Sequence, residues 1–266
     1  MTRATAADTT RNVIVSASAV LAVLGGYFGS GAAGGTPVDQ AAGGALQADA
    51  TPIAPGGPAF SIWSVIYLGL VAYAVWQFLP TQRSARRHRR IGYLLAASML
   101  LNAAWILSVQ AGSLVLSIIV ILALLAVLAI AFLIAVDTKP TTMLDAVITD
   151  GTTGLYLGWV SVATIANIAA ALTAAGFDGG AIPADTWGSA LAITAGIVGC
   201  GLALRGRGRI APTLSLCWGL AWVAVARLTG DLLSMPTAVA AIVAVIAVLA
   251  VTLAARLTTD ARIATT

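Results

Sequence analysis

Three short segments of the chain carry tryptophan, tyrosine and asparagine at helical spacing. Their sequences are Ala59-Phe-Ser-Ile-Trp-Ser-Val-Ile-Tyr67, Asn102-Ala-Ala-Trp105 and Tyr156-Leu-Gly-Trp-Val-Ser-Val-Ala-Thr-Ile-Ala-Asn167. Side chains three or four positions apart lie on one face of a helix, so each segment presents an aromatic stripe. An aromatic face can stack on a planar ligand, and a carboxamide can hydrogen-bond to its edge. These residue types therefore favour the recognition of a hydrophobic molecule.

Residues for covalent or metal-dependent catalysis are not grouped in this way. His88 is the single histidine, which excludes a histidine-based metal cage within the chain. Cys200 and Cys217 lie in apolar runs, where cysteine usually packs as a small buried hydrophobe. The sequence has no Ser/His or Cys/His arrangement near its apolar segments and no nucleotide-binding loop. We therefore expect a protein that is not an enzyme and that requires no cofactor or metal.

The composition indicates that these motifs lie in a membrane. Of the 266 residues, 59% are hydrophobic and 9% are charged, and the mean hydropathy is +0.96. Soluble domains carry about 25% charged residues, so this chain lacks the surface that would keep a domain of its size dissolved. The net charge of +4 does not indicate nucleic-acid binding, because the basic residues flank apolar segments. The lipid bilayer is the expected partner.

Eight apolar segments are long enough to cross a bilayer, which takes about 20 residues. Pro58, Pro140, Pro212 and Pro236 lie near the expected helix starts, where a missing N–H is tolerated. We predict an all-α fold, a polytopic membrane helix bundle with about eight transmembrane helices. Seven spans are the alternative, because the third, sixth and seventh segments are short or weak. The predicted spans lie near 12–33, 58–79, 91–109, 113–136, 145–174, 188–205, 210–228 and 236–256.

Basic residues set the predicted orientation, because they favour cytoplasmic loops. With eight spans and a cytoplasmic N-terminus, every basic residue from Arg3 to Arg262 except Arg227 lies on the cytoplasmic side. We therefore predict a multi-pass protein of the plasma membrane with both termini in the cytoplasm. The basic run at 83–90 is interpreted as a topology anchor that meets anionic lipid. Arg227 and Asp231 are spaced for an ion pair at the outer end of the seventh helix.

In this orientation the three motifs converge in the outer half of the membrane. Trp63 lies about 8 Å below the outer end of the second helix, at 1.5 Å per residue. Asn102 and Trp105 on the third helix and Asn167 on the fifth lie at similar depths. Above them runs a first loop of about 32–57, which we interpret as a flexible lid, with a slack connector as the alternative. Such convergence favours an apolar pocket, unless the asparagines only tie helices together.

The three motifs together resemble those of the TspO/MBR family, the tryptophan-rich sensory or translocator proteins. The resemblance covers about 12–175 and implies a five-helix membrane bundle at 1–175, followed by three additional transmembrane helices at 176–266. It also implies a pocket between the second, third and fifth helices, covered by the first loop, that binds porphyrin or haem-type tetrapyrroles and other hydrophobic small molecules. Carried to this chain, the implied wall residues are Trp63, Asn102, Trp105, Trp159, Ala163 and Asn167, to which the aromatic stripes add Tyr67 and Tyr156.

The leading hypothesis is an integral membrane tryptophan-rich sensory protein that binds a hydrophobic ligand. The alternative is a membrane transporter of a small hydrophobic or anionic solute. Asp145 and Asp150 open the fifth span, where they could line an ion or proton path. Carboxylates at the membrane interface near Lys139 are the simpler explanation of the same two residues.

Gly25 and Gly29 in the first helix have the small-xxx-small spacing that lets another helix approach closely. This spacing and the length of the segment favour a retained helix over a cleaved secretory signal. A homodimer through the same face is compatible with the resemblance, and packing within one chain is the alternative.

Overall fold

The structure is a computed structural model that describes residues 4–264, with side chains described for 4–261. Within this range eight helices are long and apolar enough to cross a membrane, which confirms the predicted all-α membrane bundle. Arg3 and the side chain of Arg262 lie outside the described residues. The helices are α1 (Ala6–Gly29), α2 (Gly57–Trp76), α3 (Arg86–Gln110), α4 (Leu114–Asp137), α5 (Met143–Ala174), α6 (Ala184–Arg205), α7 (Ile210–Thr229) and α8 (Met235–Ala264).

Successive helices run up and down, so the bundle has two distinct ends. We call the end where α1, α3, α5 and α7 begin the basic end, because the basic run 83–90 and Arg209 lie there. The opposite end is the loop end, because it carries the long connection between α1 and α2. Large apolar side chains such as Leu68, Val115 and Ile197 are exposed along the outer helix faces, as expected for contact with lipid.

Local hydrogen bonds define the starts of α1 and α5. Thr5 and Asp8 form a capping box in which each side chain accepts a hydrogen bond from the backbone N–H of the other. At the start of α5 the Oγ1 of Thr142 accepts a hydrogen bond from the backbone N–H of Asp145 at 3.1 Å. Between Ala146 and Gly151 the helix then widens into a π-helical turn before α-helical geometry resumes. Such turns are rare and are often found at functional sites.

Helix α5 lies at the centre of the bundle and packs against α2, α4, α6 and α7. Its contact with α7 is close at Gly158, because a Cβ atom there would collide with the Pro212 carbonyl. One hydrophobic cluster fills the space among α1 to α5, and a second fills the space among α5 to α8. The central helix contributes to both clusters, for example with Trp159 in the first and Val162 in the second.

The two glycines of the small-xxx-small pair face α3 of the same chain. Gly25 lies against Ala103, and Gly29 lies against Ile106 and the loop residue Val38. A Cβ at Gly29 would collide with the side chain of Ile106, so this position requires glycine or a rearrangement of the isoleucine. Packing within one chain therefore accounts for this pair.

The basic run at 83–90 is only partly exposed, although we interpreted it from the sequence as a lipid-facing anchor. Arg87 and His88 are buried, and the Nη2 of the exposed Arg89 lies 2.7 Å from the Asp8 Oδ2 on α1. Arg11 also points inward and donates a hydrogen bond to the Arg83 carbonyl at 2.8 Å. The anchor interpretation is wrong for Arg87 and His88, because protein and not lipid surrounds them.

Candidate ligand-binding site

The three aromatic motifs meet at the loop end of the bundle, around Trp63 of α2. The Trp63 ring stacks on Tyr67 of the same helix and on Trp105 of α3, with centroid distances of 5.6 and 6.5 Å. Two rings of α5 meet it at their edges, Tyr156 at 5.7 Å and Trp159 at 6.2 Å. These distances lie in the range of favourable aromatic pairs. Residues that are distant in sequence thus form one aromatic cluster.

A small cavity, here called the aromatic cavity, lies beside this cluster and beneath the first loop. Its volume is about 30 Å³, which is about the space of one water molecule. The lining side chains come from α2, α3, α5 and the loop segments on either side of residue 50. They are Ala45, Leu46, Ala54, Pro55, Phe60, Trp63, Trp105, Trp159, Ala163, Ala166, Asn167 and Ala170. The loop therefore covers the cavity, as a lid would.

A larger space, the side cavity, lies among α1, α2, α3 and the beginning of the first loop. Its volume is about 420 Å³, and its lining includes Tyr27, Val38 and Tyr67. Phe60, Trp63 and Trp105 line both cavities. Their rings are therefore the partition between the two spaces.

The predicted wall residues fall into three groups, of which the first two line a cavity. Trp63, Trp105, Trp159, Ala163 and Asn167 line the aromatic cavity, and Tyr67 lines the side cavity. The structure thus brings six of the eight predicted residues to the two adjoining spaces.

Asn102 and Tyr156 line neither cavity and instead support the cluster from behind. The Asn102 carboxamide donates a hydrogen bond to the Tyr67 hydroxyl at 2.7 Å. The Tyr156 hydroxyl donates one to the Ser98 carbonyl at 3.1 Å. Both side chains orient aromatic rings, so direct contact with a ligand remains only a prediction for them.

Asn167 joins three helices through its carboxamide. Its Oδ1 accepts a hydrogen bond from the Trp105 Nε1 at 3.2 Å and another from the Ser117 Oγ of α4 at 3.3 Å. Its Nδ2 lies 3.0 Å from the same Ser117 oxygen. Because these groups already have partners, Asn167 fixes the Trp105 indole and ties α3, α4 and α5 together. The sequence did not single out Ser117, since one serine in an apolar helix carries no distinctive pattern.

An Asn167→Leu variant is expected to lose about 1–3 kcal/mol of unfolding free energy, because Trp105 Nε1 and Ser117 lose buried partners. Unfolding by sodium dodecyl sulfate in mixed micelles, followed by tryptophan fluorescence, measures this change. Gln47→Leu is the matched control, because it removes an exposed carboxamide from the loop and should cost less than about 0.5 kcal/mol. Equal stability of the two variants would contradict the bracing role.

Trp159, one of the residues that line the aromatic cavity, has a buried indole N–H. Its side chain is 1% exposed, and its Nε1 has no hydrogen-bond partner among the described residues. A buried N–H without a partner is costly, so such a group is usually satisfied by water or ligand. The Trp159 ring was predicted as a wall residue, but its unpaired donor could not be inferred from spacing.

Helix α7 holds the lid and the first turn of α2 in place by hydrogen bonds. The backbone N–H of Gly56 donates a hydrogen bond to the Trp222 carbonyl at 3.2 Å, and the Trp218 Nε1 donates one to the Ala59 carbonyl at 2.9 Å. Arg227 of the same helix donates hydrogen bonds to the carbonyls of Ala48 and Thr51. One of the three C-terminal helices is thus part of the structure that covers the cavity.

A comparison with known families assigns most of the chain to one family. The family model described as TSPO-like protein matches residues 14–254. The chain belongs to the TSPO-like family. No curated protein and no solved structure matches it. The TSPO-like match continues through α6, α7 and most of α8, so these helices lie within the matched region together with the aromatic motifs.

The carboxylates that open α5 lie at the basic end of this TSPO-like bundle, away from the aromatic cavity. Asp150 pairs with Arg87 of α3 and with Arg209, whose Nη1 lies 2.5 Å from the Asp150 Oδ2. The Asp145 Oδ1 accepts a hydrogen bond from the Thr149 Oγ1 at 2.9 Å, and the His88 Nε2 lies 3.9 Å from the same Asp145 oxygen. The partners of Asp150 are thus buried or half-buried arginines of the bundle. The transport hypothesis assigned these carboxylates to an ion or proton path, and it stays a prediction.

Proposed function

We propose that this chain is a non-enzymatic membrane sensor that binds a planar hydrophobic ligand of the tetrapyrrole class between α2, α3 and α5. Membership of the TSPO-like family and the membrane bundle support the general assignment. The aromatic cluster supports the ligand class, because stacked indole and phenol rings favour flat, polarisable partners. The unpaired Trp159 Nε1 offers such a ligand one directed hydrogen bond.

The observation that carries the proposal is the position of Trp63 between the two cavities. The aromatic cavity, at about 30 Å³, is too small for a macrocycle. The side cavity, at about 420 Å³, lies within the usual range for ligand pockets of about 300–1,000 Å³. If Trp63 turns aside, the two spaces join, and a planar ligand can stack on Trp105 and Tyr67 as the indole did. The Trp63 indole thus occupies the position between Trp105 and Tyr67 that the ligand would take.

Binding of a ligand in the joined space provides a route to signalling. The lid residues Leu46 and Pro55 line the aromatic cavity, so a macrocycle there would press against them. The lid is in turn bonded to α7 through Gly56 and Arg227. Ligand occupancy would therefore change the contacts of the loop end, which a partner protein or the lipid could detect. This coupling needs a ligand that binds the open arrangement better than the closed one.

Quenching of tryptophan fluorescence by a porphyrin tests the proposal. The parent protein in detergent is expected to show saturable quenching. Trp159→Phe retains a ring but removes the free N–H, so its affinity should fall about fivefold, the equivalent of one hydrogen bond of about 1 kcal/mol. Trp105→Phe reduces the stacking area and should also weaken binding.

Trp76→Phe is the matched control, because it removes one fluorophore from the last residue of α2, far from both cavities. It should leave the porphyrin affinity unchanged. The proposal fails if the parent shows no saturable quenching, or if Trp76→Phe weakens binding as much as Trp159→Phe does.

A further inference from the structure

A third cavity opens at the loop end, on the side of α5 that faces α6. Its volume is about 530 Å³, and it is bounded by the lid segment 49–53, the end of α5 and the beginning of α6. None of the described residues that line it also lines the aromatic cavity. Ala163 and Asn167 face the aromatic cavity, whereas Ile165 and Ile168 face this one. Helix α5 thus separates two independent spaces, and we call the second the acidic cavity.

The walls of the acidic cavity are apolar and aromatic. Ile53, Leu172 and Leu191 supply aliphatic surface. Phe177 and Trp187 form an edge-to-face pair with centroids 5.8 Å apart and an angle of 73° between their planes. The electron-rich faces of such rings attract cations as well as apolar groups.

Three carboxylates, and no basic side chain, are found among the described residues that line this cavity. They belong to Asp49, Asp178 and Asp185. Arg227 interacts electrostatically with Asp49, but its guanidinium donates to lid carbonyls and does not line the cavity. Arg227 therefore offsets part of the Asp49 charge and leaves Asp178 and Asp185 as the dominant charges. The electrostatic potential at the mouth consequently favours a cation.

Thr51, one of the residues that line the cavity, has a buried side-chain hydroxyl without a partner among the described residues. Thr51 is 3% exposed, and its Oγ1 has no hydrogen-bond partner among the described residues. The backbone carbonyl of Thr51 already has a partner, because it accepts a hydrogen bond from Arg227. A free hydroxyl oxygen beside an apolar wall is suited to accept a hydrogen bond from an N–H donor.

We propose that the acidic cavity binds a hydrophobic ammonium ion, that is, a protonated amine with bulky apolar substituents. Ile53, Leu172 and Leu191 would contact the apolar part of such a ligand, and Phe177 and Trp187 would lie against it. Asp178 and Asp185 would balance its charge, and the Thr51 Oγ1 would accept one N–H. This site is separate from the tetrapyrrole site in position and in ligand chemistry.

Isothermal titration calorimetry with two cage compounds of the same size tests the proposal. The parent protein in a non-ionic micelle is titrated with 1-adamantylammonium and, separately, with 1-adamantanecarboxylate. We expect saturable binding of the ammonium ion that weakens as salt is added, because exposed carboxylates are screened. The carboxylate should bind at least about tenfold more weakly, since each charge contact at the mouth reverses sign.

Isosteric variants assign the binding to this cavity. The double variant Asp178→Asn, Asp185→Asn is expected to lose about tenfold in affinity for the ammonium ion. Asp231→Asn is the control, because it neutralises an exposed carboxylate at the same end that does not line the cavity. A Thr51→Val variant should weaken ammonium binding while retaining the shape of the side chain.

Three results would overturn the proposal. They are the absence of saturable ammonium binding to the parent, equal affinity for the carboxylate and the ammonium ion, and a double variant that binds as tightly as Asp231→Asn. The resistance of the double variant to unfolding by sodium dodecyl sulfate in mixed micelles shows whether it is folded, and this check does not depend on porphyrin binding. The aromatic cavity shares no lining residue with the acidic cavity. The two sites can therefore fail or succeed separately.

Discussion

An Asp150→Asn variant is expected to unfold with a free energy about 3 kcal/mol below that of the parent, because removing one partner of a buried ion pair leaves the other charge uncompensated. The Asp150 side chain is 12% exposed and contacts the guanidinium groups of Arg87 and Arg209. It therefore joins α3, α5 and the start of α7 at the basic end. Asparagine has the shape of aspartate but no charge. Unfolding by sodium dodecyl sulfate in mixed micelles measures the difference.

Asp137→Asn is the matched control for this variant. Asp137 ends α4 at the same end of the bundle and is exposed, so its neutralisation should change stability by less than about 0.5 kcal/mol. If Asp150→Asn is as stable as Asp137→Asn, the structural role of the carboxylate is refuted. Loss of solute flux into proteoliposomes by such a stable variant would instead support the transport hypothesis.

The sequence predicted the number and order of the helices but placed the starts of α1 and α3 too late. The predicted spans began near 12 and 91, whereas the helices begin at residues 6 and 86. Hydropathy excludes the polar residues of these first turns because it evaluates each residue as if it faced lipid. In the folded chain Arg11 and Arg87 face protein partners, so the helices extend through them. Only tertiary contacts reveal these partners.

The positions of the predicted wall residues could be foreseen from helical periodicity, but their depth in the bundle and the loop that covers them could not. The spacing of Trp63, Trp105 and Trp159 placed all three on faces that converge, and the orientation of the helices placed them at one end. Tyr156 was assigned to the same wall, but it lies one turn deeper than Trp159 and meets the backbone at Ser98. Periodicity gives the face of a helix but not the depth of the cavity that the face lines.

The lid is the part of the site that sequence reasoning described least. A loop rich in alanine and glycine has no periodicity, so the residues that cover the cavity could not be chosen from 32–57. The contact of Trp222 with the lid and that of Trp218 with the first turn of α2 were also not foreseen, since a pair one turn apart is as easily explained by packing. These contacts join segments more than 150 positions apart in the chain.

The predicted ion pair between Arg227 and Asp231 is wrong. Helix α7 ends at Thr229, and Gly230 turns the chain away, so Asp231 is no longer one helical turn above the arginine. The described residues show no ion pair between the two. Arg227 instead turns inward and is 1% exposed beneath the lid.

An Arg227→Met variant is expected to lose about 3 kcal/mol of unfolding free energy, because two hydrogen bonds from a charged donor to buried or half-buried carbonyls disappear. Those carbonyls belong to Ala48 and Thr51, between the lid segments that line the aromatic cavity. Methionine retains an apolar stem of similar length, so the variant tests the guanidinium more than the packing. Unfolding in mixed micelles measures the stability.

Hydrogen exchange of the backbone amides in 45–55 separates a loosened lid from a general loss of stability. If Arg227 fixes the lid, exchange in this segment should accelerate at least about tenfold, while the amides of α4 keep their protection. Arg205→Met is the control, because it removes an exposed arginine that has no ion pair or side-chain hydrogen bond within the part of the chain that the structure describes. Uniform acceleration throughout the bundle would show that Arg227 stabilises the fold without a specific role in the lid. Selective acceleration should be accompanied by faster porphyrin association and dissociation, because the same segment must move to admit the ligand.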